Sequence, residues 1–168
     1  KEKFDRVSNR LTVEETLVDC IQTLSSEADV NAAVNRFLEI IGRFYAADRA
    51  YIFEYRKNQI KNTFEWCAPN IKPQLELLQE IPMEYIRDWN HKFELDGEFF
   101  ITSLDRDLET DSPDYRILKD QGIESLAAAP LKKNGQIIGF LGVDNPMEST
   151  GDLSLLRSVC SFVLEEME

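Results

Sequence analysis

Apolar residues along the first part of the chain recur at helical spacing. Phe4, Val7, Leu11, Leu17, Val18, Ile21 and Leu24 describe the stripe of one helical face over residues 4–25. Thr12 followed by Glu15 has the form of a capping box, which would split the segment into a short lead helix and a longer one. A second helical rhythm follows in Val30, Ala33, Val34, Phe37, Leu38, Ile41, Phe44 and Tyr45, with Asp29 or Ser26 placed to cap its exposed N–H groups. After Ala47-Asp48 the period changes. Residues 50–56 and 60–66 are rich in aromatic and β-branched side chains, and the polar 57–59 between them makes the pair a β-hairpin. Pro69 closes the second strand because proline brings no N–H to a ladder.

The middle is less regular. Residues 73–78 and 83–93 are expected to be helical, with Pro82 at the start of the second piece. Residues 98–102 form a short strand, and the acidic stretch 105–113 is a loop by composition. Ser112-Pro113 begins another short helix, which stops at Gly122. The last third is a hairpin of residues 125–131 and 136–143 turning at Asn134-Gly135. Asp144-Asn145-Pro146 ends its second strand, and Asp152 is expected to cap a final helix carrying Leu153, Leu156, Val159, Cys160 and Val163. Adjacent hairpins make the sheet antiparallel, with helices gathered on one face, so the fold class is α+β.

The terminal hairpin, S-L-A-A-A-P-L-K-K-N-G-Q-I-I-G-F-L-G-V-D-N-P, resembles the GAF domain family. The resemblance rests on Pro130-Leu131, the Asn134-Gly135 turn, and Gly139, Leu141 and Val143 before a polar loop and a C-terminal helix. The earlier F-Y-A-A-D-R-A-Y-I-F-E-Y is similar to the family's approach to its first strand, and the likeness runs from about Thr16 to Phe162. It implies a GAF/PAS-like architecture: a six-stranded antiparallel sheet, terminal helices packed on one face, and a pocket formed by small helices and loops on the other. The chain then divides into a linker helix over residues 1–15, the domain over 16–162, and the start of a C-terminal linker helix over 163–168. It departs from the family's better-defined subclasses. The N-K-F-D-E motif of the cyclic-nucleotide phosphodiesterases is missing. No cysteine stands beside His91 as the bilin-binding members require, and Cys67 has no resolving partner of the kind that free methionine sulfoxide reductases use.

Charge and cysteine usage narrow the partners. With 19 basic and 31 acidic residues the net charge is −12, which repels phosphate backbones and anionic lipid; Lys132-Lys133 and Arg56-Lys57 are too short to make a binding stripe. No run reaches the roughly 18 apolar residues of a membrane span, so neither nucleic acid nor membrane insertion is expected. The chain starts at Lys1 without a signal segment and is expected to be a cytoplasmic piece of a longer polypeptide. Three scattered cysteines, Cys20, Cys67 and Cys160, suit a reducing compartment and a zinc-free protein.

Candidate chemistry concentrates in aromatic residues. Phe53, Tyr55, Trp66, Trp89, Phe93, Phe100 and Tyr115 are the expected pocket set, although aromatic residues on strands and helices are more often plain core. Trp66, Trp89 and Tyr115 are preferred because they flank the irregular segments that line the pocket in the resembled family. His91, between Asn90 and Lys92, is expected to be a solvated helix residue, and Asp105, Asp107, Glu109 and Asp111 lack the glycine and distal glutamate of a calcium loop. No nucleophile motif or phosphate-binding loop is present. No catalytic residue, metal or cofactor is therefore assigned.

The expected function is a non-catalytic sensory domain. It would bind an unknown small ligand, dimerise through its terminal helices, and signal to a C-terminal output domain such as a diguanylate cyclase, a cyclic-di-nucleotide phosphodiesterase or a histidine kinase. The alternatives are a redox enzyme of the methionine sulfoxide reductase type and a ligand-free dimerisation module.

Overall fold

A computed structural model of the chain describes residues 2–26, 28–147 and 153–167, with side chains described for 13–26, 28–147 and 153–164. Its elements follow the order α1 (Glu2–Ser26), α2 (Val30–Phe44), β1 (Arg49–Arg56), β2 (Gln59–Cys67), β3 (Ile81–Pro82), α3 (Arg87–Asp96), β4 (Phe99–Ile101), α4 (Leu104–Asp107), α5 (Pro113–Asp120), β5 (Leu126–Lys133), β6 (Gln136–Asp144) and α6 (Ser154–Met167). Short 3-10 turns at Leu75–Leu77 and Met83–Ile86 precede β3 and α3. The expected order of helices and hairpins holds.

The α+β assignment and the six-stranded antiparallel sheet are as the resemblance implied, in spatial order β3-β2-β1-β6-β5-β4. β1 and β6 pair at the centre, which brings the first hairpin against the last. Two short elements escape the pattern of the sequence. β3 is a two-residue edge strand whose Pro82 faces Gln59, where an edge tolerates its missing N–H; the same proline is the N-cap of the Met83–Ile86 turn that leads into α3, as expected. The acidic stretch is partly helical: α4 occupies Leu104–Asp107, and the Asp107 carboxylate accepts from the N–H groups of Thr102 and Ser103.

The helices form as the spacing requires. The Asp29 carboxylate accepts from the Asn31 N–H at the start of α2, and Ser112 does the same for Tyr115 at the start of α5, which opens on Pro113. α1 is continuous from Glu2 to Ser26, so Thr12 and Glu15 do not divide it. The stripe of Phe4, Val7 and Leu11 lies outside the described side chains, and the Asp152 cap outside the described residues.

The sheet separates two cores of different character. On one face α1, α2 and α6 bury aliphatic side chains such as Val34, Leu38 and Ile41 from α2 and Leu156, Val159 and Val163 from α6. Small residues of the sheet, Ala50, Ala127 and Ala129, let these helices approach closely. On the other face the short α3 and α5 cover aromatic rings: Phe53, Trp89, Phe93, Phe99 and Phe140. Here Phe53 stacks on Phe140 at 5.0 Å and Trp89 on Phe99 at 4.6 Å.

A bulge in β2 decides which residues face which core. Ile52 pairs with Phe64 and Phe53 with Asn62, leaving Thr63 as the extra residue. The Asn62 side-chain amide fixes the kink by donating to the carbonyls of Ile52 and Phe64, each at 3.0 Å. Ile60 and Asn62 therefore face the aromatic side, while Phe64 and Trp66 turn to the helix side. Trp66 lies flat against Gly42 of α2, where an added Cβ would sit 2.2 Å from the indole.

Alanine at Gly42 is expected to destabilise the fold by about 1–3 kcal/mol through overpacking, although helix propensity alone favours alanine by about 1 kcal/mol. Urea unfolding of Gly42→Ala, Trp66→Leu and the pair checks this. The double variant should cost less than the sum of the single ones, because the smaller side chain makes room for the methyl.

Candidate functional site

A cavity opens on the aromatic face, between the sheet and the roof made by the Met83–Ile86 turn, α3 and α5. Its floor comes from alternate residues of the three central strands: Arg49, Tyr51 and Phe53 of β1, Asn62 and Glu65 of β2, and Phe140 and Asp144 of β6. Tyr85, Ile86, Trp89, Ile117 and Leu118 form the roof. The walls are mostly apolar, with polar groups gathered at one end, the composition of a small-molecule site. The cavity is small, about 50 Å³.

The polar end is built around a buried ion pair. Arg49 and Asp144 face each other across the β1–β6 register and are 4% and 1% exposed. Arg49 donates from Nη1 to Asp144 Oδ2 at 3.3 Å, and from Nε and Nη2 to the Lys72 carbonyl at 3.0 and 2.8 Å. The Tyr51 hydroxyl donates to Asp144 Oδ1 at 2.7 Å. The Tyr51 ring crosses Gly142 to make this bond, and a Cβ there would stand 2.6 Å from the ring. Beside the pair, the Glu65 carboxylate accepts from the N–H groups of Gln74 and Leu75 at 3.0–3.2 Å. At the roof, Trp89 Nε1 donates to Asp114 Oδ2 at 3.0 Å.

Burial pushes the Asp144 carboxyl up from 3.8 to about 7, against the pull of the Tyr51 hydrogen bond and the Arg49 charge, with Glu65 adding to the rise. Burial and the neighbouring Asp144 charge likewise hold the Tyr51 phenol well above its ordinary value.

Two of the seven aromatic residues expected in a pocket line this cavity, Phe53 and Trp89. Tyr55 stands on the same face of β1, but its hydroxyl is engaged by Asn90 Oδ1. Phe93 is fully buried behind the lining, with its ring near those of Phe99 and Phe140. Tyr115 donates to Asp105 Oδ1 at 2.6 Å, outside the cavity. Trp66 lies on the helix side because of the bulge, and Phe100, 49% exposed, points from the edge strand to that side too. The residues that give the site its charge, Arg49, Glu65 and Asp144, were not legible from composition or period. Their convergence depends on register.

His91 is exposed on α3, and none of the three cysteines lines the cavity. Burial raises the Cys20 and Cys160 thiols to about 12. It raises Cys67 to about 11, with Glu65 adding to the effect. No described helix is long and apolar enough to cross a membrane.

Comparison with known proteins matches this geometry to one family. The GAF domain family's model fits residues 29–165. The chain is 28% identical over 141 residues to the methanogenesis regulatory histidine kinase FilI of Methanothrix harundinacea strain 6Ac, in a stretch covering 77% of this chain and 15% of that protein. It thus spans only a small part of the length of that curated relative. Among solved structures, the phycoerythrobilin-bound GAF domain of a cyanobacterial phytochrome superimposes with a TM-score of 0.73 at 14% identity, covering 92% of this chain and 94% of that one. The chromophore-binding domain of a Stigmatella aurantiaca bacteriophytochrome gives 0.70 at 18% identity, covering 94% and 59%. At these identities the likeness is one of fold.

The raised Asp144 pKa has a consequence for stability. A carboxyl with a folded pKa near 7 and an unfolded pKa near 3.8 holds its proton more tightly when folded. Its contribution is full below the lower value and is lost as pH rises towards the upper one. Urea midpoints of the wild type, measured from about pH 4 to pH 8, should fall relative to those of Asp144→Asn, which has no proton to lose. A pH-independent difference between the two proteins would contradict the assignment.

Proposed function

The chain belongs to the GAF domain family, and we propose that it is the non-catalytic sensory module of a larger signalling protein, taking up a small molecule in the cavity and passing its arrival to the terminal helices. The observation that carries this reading is the double role of Asp144. Its carboxylate forms the cavity's polar end, while its backbone carbonyl accepts from the Asp48 N–H at 2.9 Å, in the connection between α2 and β1.

The next residue extends the link. Asn145 Nδ2 donates to Asp48 Oδ2 and to the Gly122 carbonyl, and its Oδ1 accepts from the N–H groups of Glu124 and Ser125. One side chain thus joins the loop after α5, a roof helix, to the connection after α2. A ligand that moves α5 or takes a hydrogen bond from the polar end acts directly on this junction.

The output domain would follow α6 in the full-length protein, as a diguanylate cyclase, a cyclic-di-nucleotide phosphodiesterase or a histidine kinase. The likeness to FilI favours the kinase. The apolar stripe of α6 is buried on its own sheet, so a two-fold dimer would use the outward face of α1, where Val18 is 50% exposed. The raised thiols and the position of all three cysteines outside the cavity favour a sensor over a thiol-based reductase. A cytoplasmic location fits the proposal.

Thermal unfolding of the purified chain against a broad metabolite panel tests the reading. A ligand at a hundredfold excess over its Kd should stabilise by about 2.7 kcal/mol, a rise of several degrees in Tm. Ile117→Trp, which fills the cavity, should abolish that rise. A panel without any hit, or a hit that survives the filled cavity, would remove the sensor proposal.

A further inference from the structure

The wall and charge chemistry of the cavity select one class of small molecule, an inference that rests on the sensory reading above. Five aromatic side chains, Tyr51, Phe53, Tyr85, Trp89 and Phe140, contribute to the lining. Aromatic faces carry negative quadrupolar potential and attract a cation set over them. Among the described residues of the lining Arg49 is the one cation, and it is already committed to Asp144 and the Lys72 carbonyl. A carboxylate or phosphate ligand would have to draw Arg49 away and leave Asp144 buried without its partner, which is strongly unfavourable.

Carboxylates outnumber that cation. Glu65, Asp114 and Asp144 line the cavity, while Glu65 receives backbone N–H groups and Asp114 the Trp89 indole. Asp114 and Tyr85 also belong to an adjoining cleft, where Glu84 and Asp88 are exposed and Arg87 is the opposing charge. Acids exceed bases in both the cavity and this cleft, so the local potential favours positive charge.

We propose that the cavity binds a compact organic cation, an ammonium group carried on a small apolar or aromatic body. The body meets the aromatic rings and the ammonium meets the carboxylate end. At about 50 Å³ the cavity admits such a ligand only as the roof yields, and it disfavours extended ones. The groups facing Asp144 are Arg49 and Tyr51 from β1 and Glu65 from β2. An arriving ammonium adds a second positive neighbour and favours the ionised carboxylate, so affinity should rise as pH increases through about 7.

The test compares isosteres of different charge on the intact chain. Phenethylamine, 2-phenylethanol and 3-phenylpropionate form one series, choline and 3,3-dimethylbutan-1-ol another. Calorimetry on the wild type is paired with fluorescence of Trp66→Phe, in which Trp89 alone reports. The cations should bind about tenfold or more tightly than their neutral and anionic counterparts. Asp144→Asn should lower cation affinity, and Glu84→Gln with Asp88→Asn, in the exposed adjoining cleft and outside the core, should lower it about two- to fivefold. Equal or tighter binding of the alcohol or the acid, or cation affinity unmoved by the cleft substitutions, would overturn the proposal and leave the sensor reading standing. If no compound of either series binds and the broad metabolite panel also gives no hit, both fall.

Discussion

The buried pair of Arg49 and Asp144 is the constraint around which the cavity-bearing half of the molecule is arranged. Two charges removed from water must recover their hydration within the protein, and Coulomb attraction between them seldom suffices. Here the remainder comes from the Lys72 carbonyl, which accepts two guanidinium N–H groups, and from the Tyr51 hydroxyl. Each compensation fixes something else. Lys72 holds the long connection after β2 against the sheet. Tyr51 requires a glycine at 142, because any side chain there would lift its ring. The pair also locks β1 against β6 in the register that sets their inward residues. Its value is therefore more positional than energetic.

Much of the fold was legible because period and punctuation agree. The 3.6-residue spacing of Val34, Leu38 and Ile41, the Asn134-Gly135 turn and the capping Asp29 each predict locally what the packing then confirms. The site was legible only in part. Strict alternation along β2 puts Phe64 and Trp66 on the same face as Ile60 and Asn62, and so sends the tryptophan to the pocket. One extra residue, Thr63, reverses that parity and brings Glu65 inward instead. Nothing in the composition of 59–67 announces the bulge. Its stabilising amide, Asn62, reads as an ordinary polar residue until its two carbonyl partners are known. Arg49 and Asp144 escape for a related reason: 95 residues apart in sequence, they become partners only through the pairing of the first and sixth strands.

The contrast between the two cores follows from how near each layer can come to the sheet. Long helices pack on the alanine-lined face, and aliphatic side chains fill the space between. α5 and α3 are short, eight and ten residues, and are joined by irregular segments. They stand over rings that must span a wider space. Stacked aromatic pairs fill it well but meet at fixed distances, and the remainder between Phe53, Trp89 and the roof is the cavity. An aromatic core under short helices is thus a natural place for unfilled volume.

That asymmetry bears on how the proposed sensor would work. The stripe of α6 from Leu155 to Val163 is almost wholly buried, so the helix cannot slide without losing contacts along its length. The proposed signal would instead pass through the junction at the strand ends. Asn145 sits at φ 50°, a left-handed conformation that asparagine accepts at modest cost, and its four side-chain hydrogen bonds join three separate stretches of chain. A residue held in a less favoured conformation by several partners is poised to respond when one of them shifts. Since α5 roofs the cavity and is followed directly by one of those partners, movement of the roof changes the conditions that hold Asn145. The terminal helices would then be read out from their connections to the sheet and not through their packed faces.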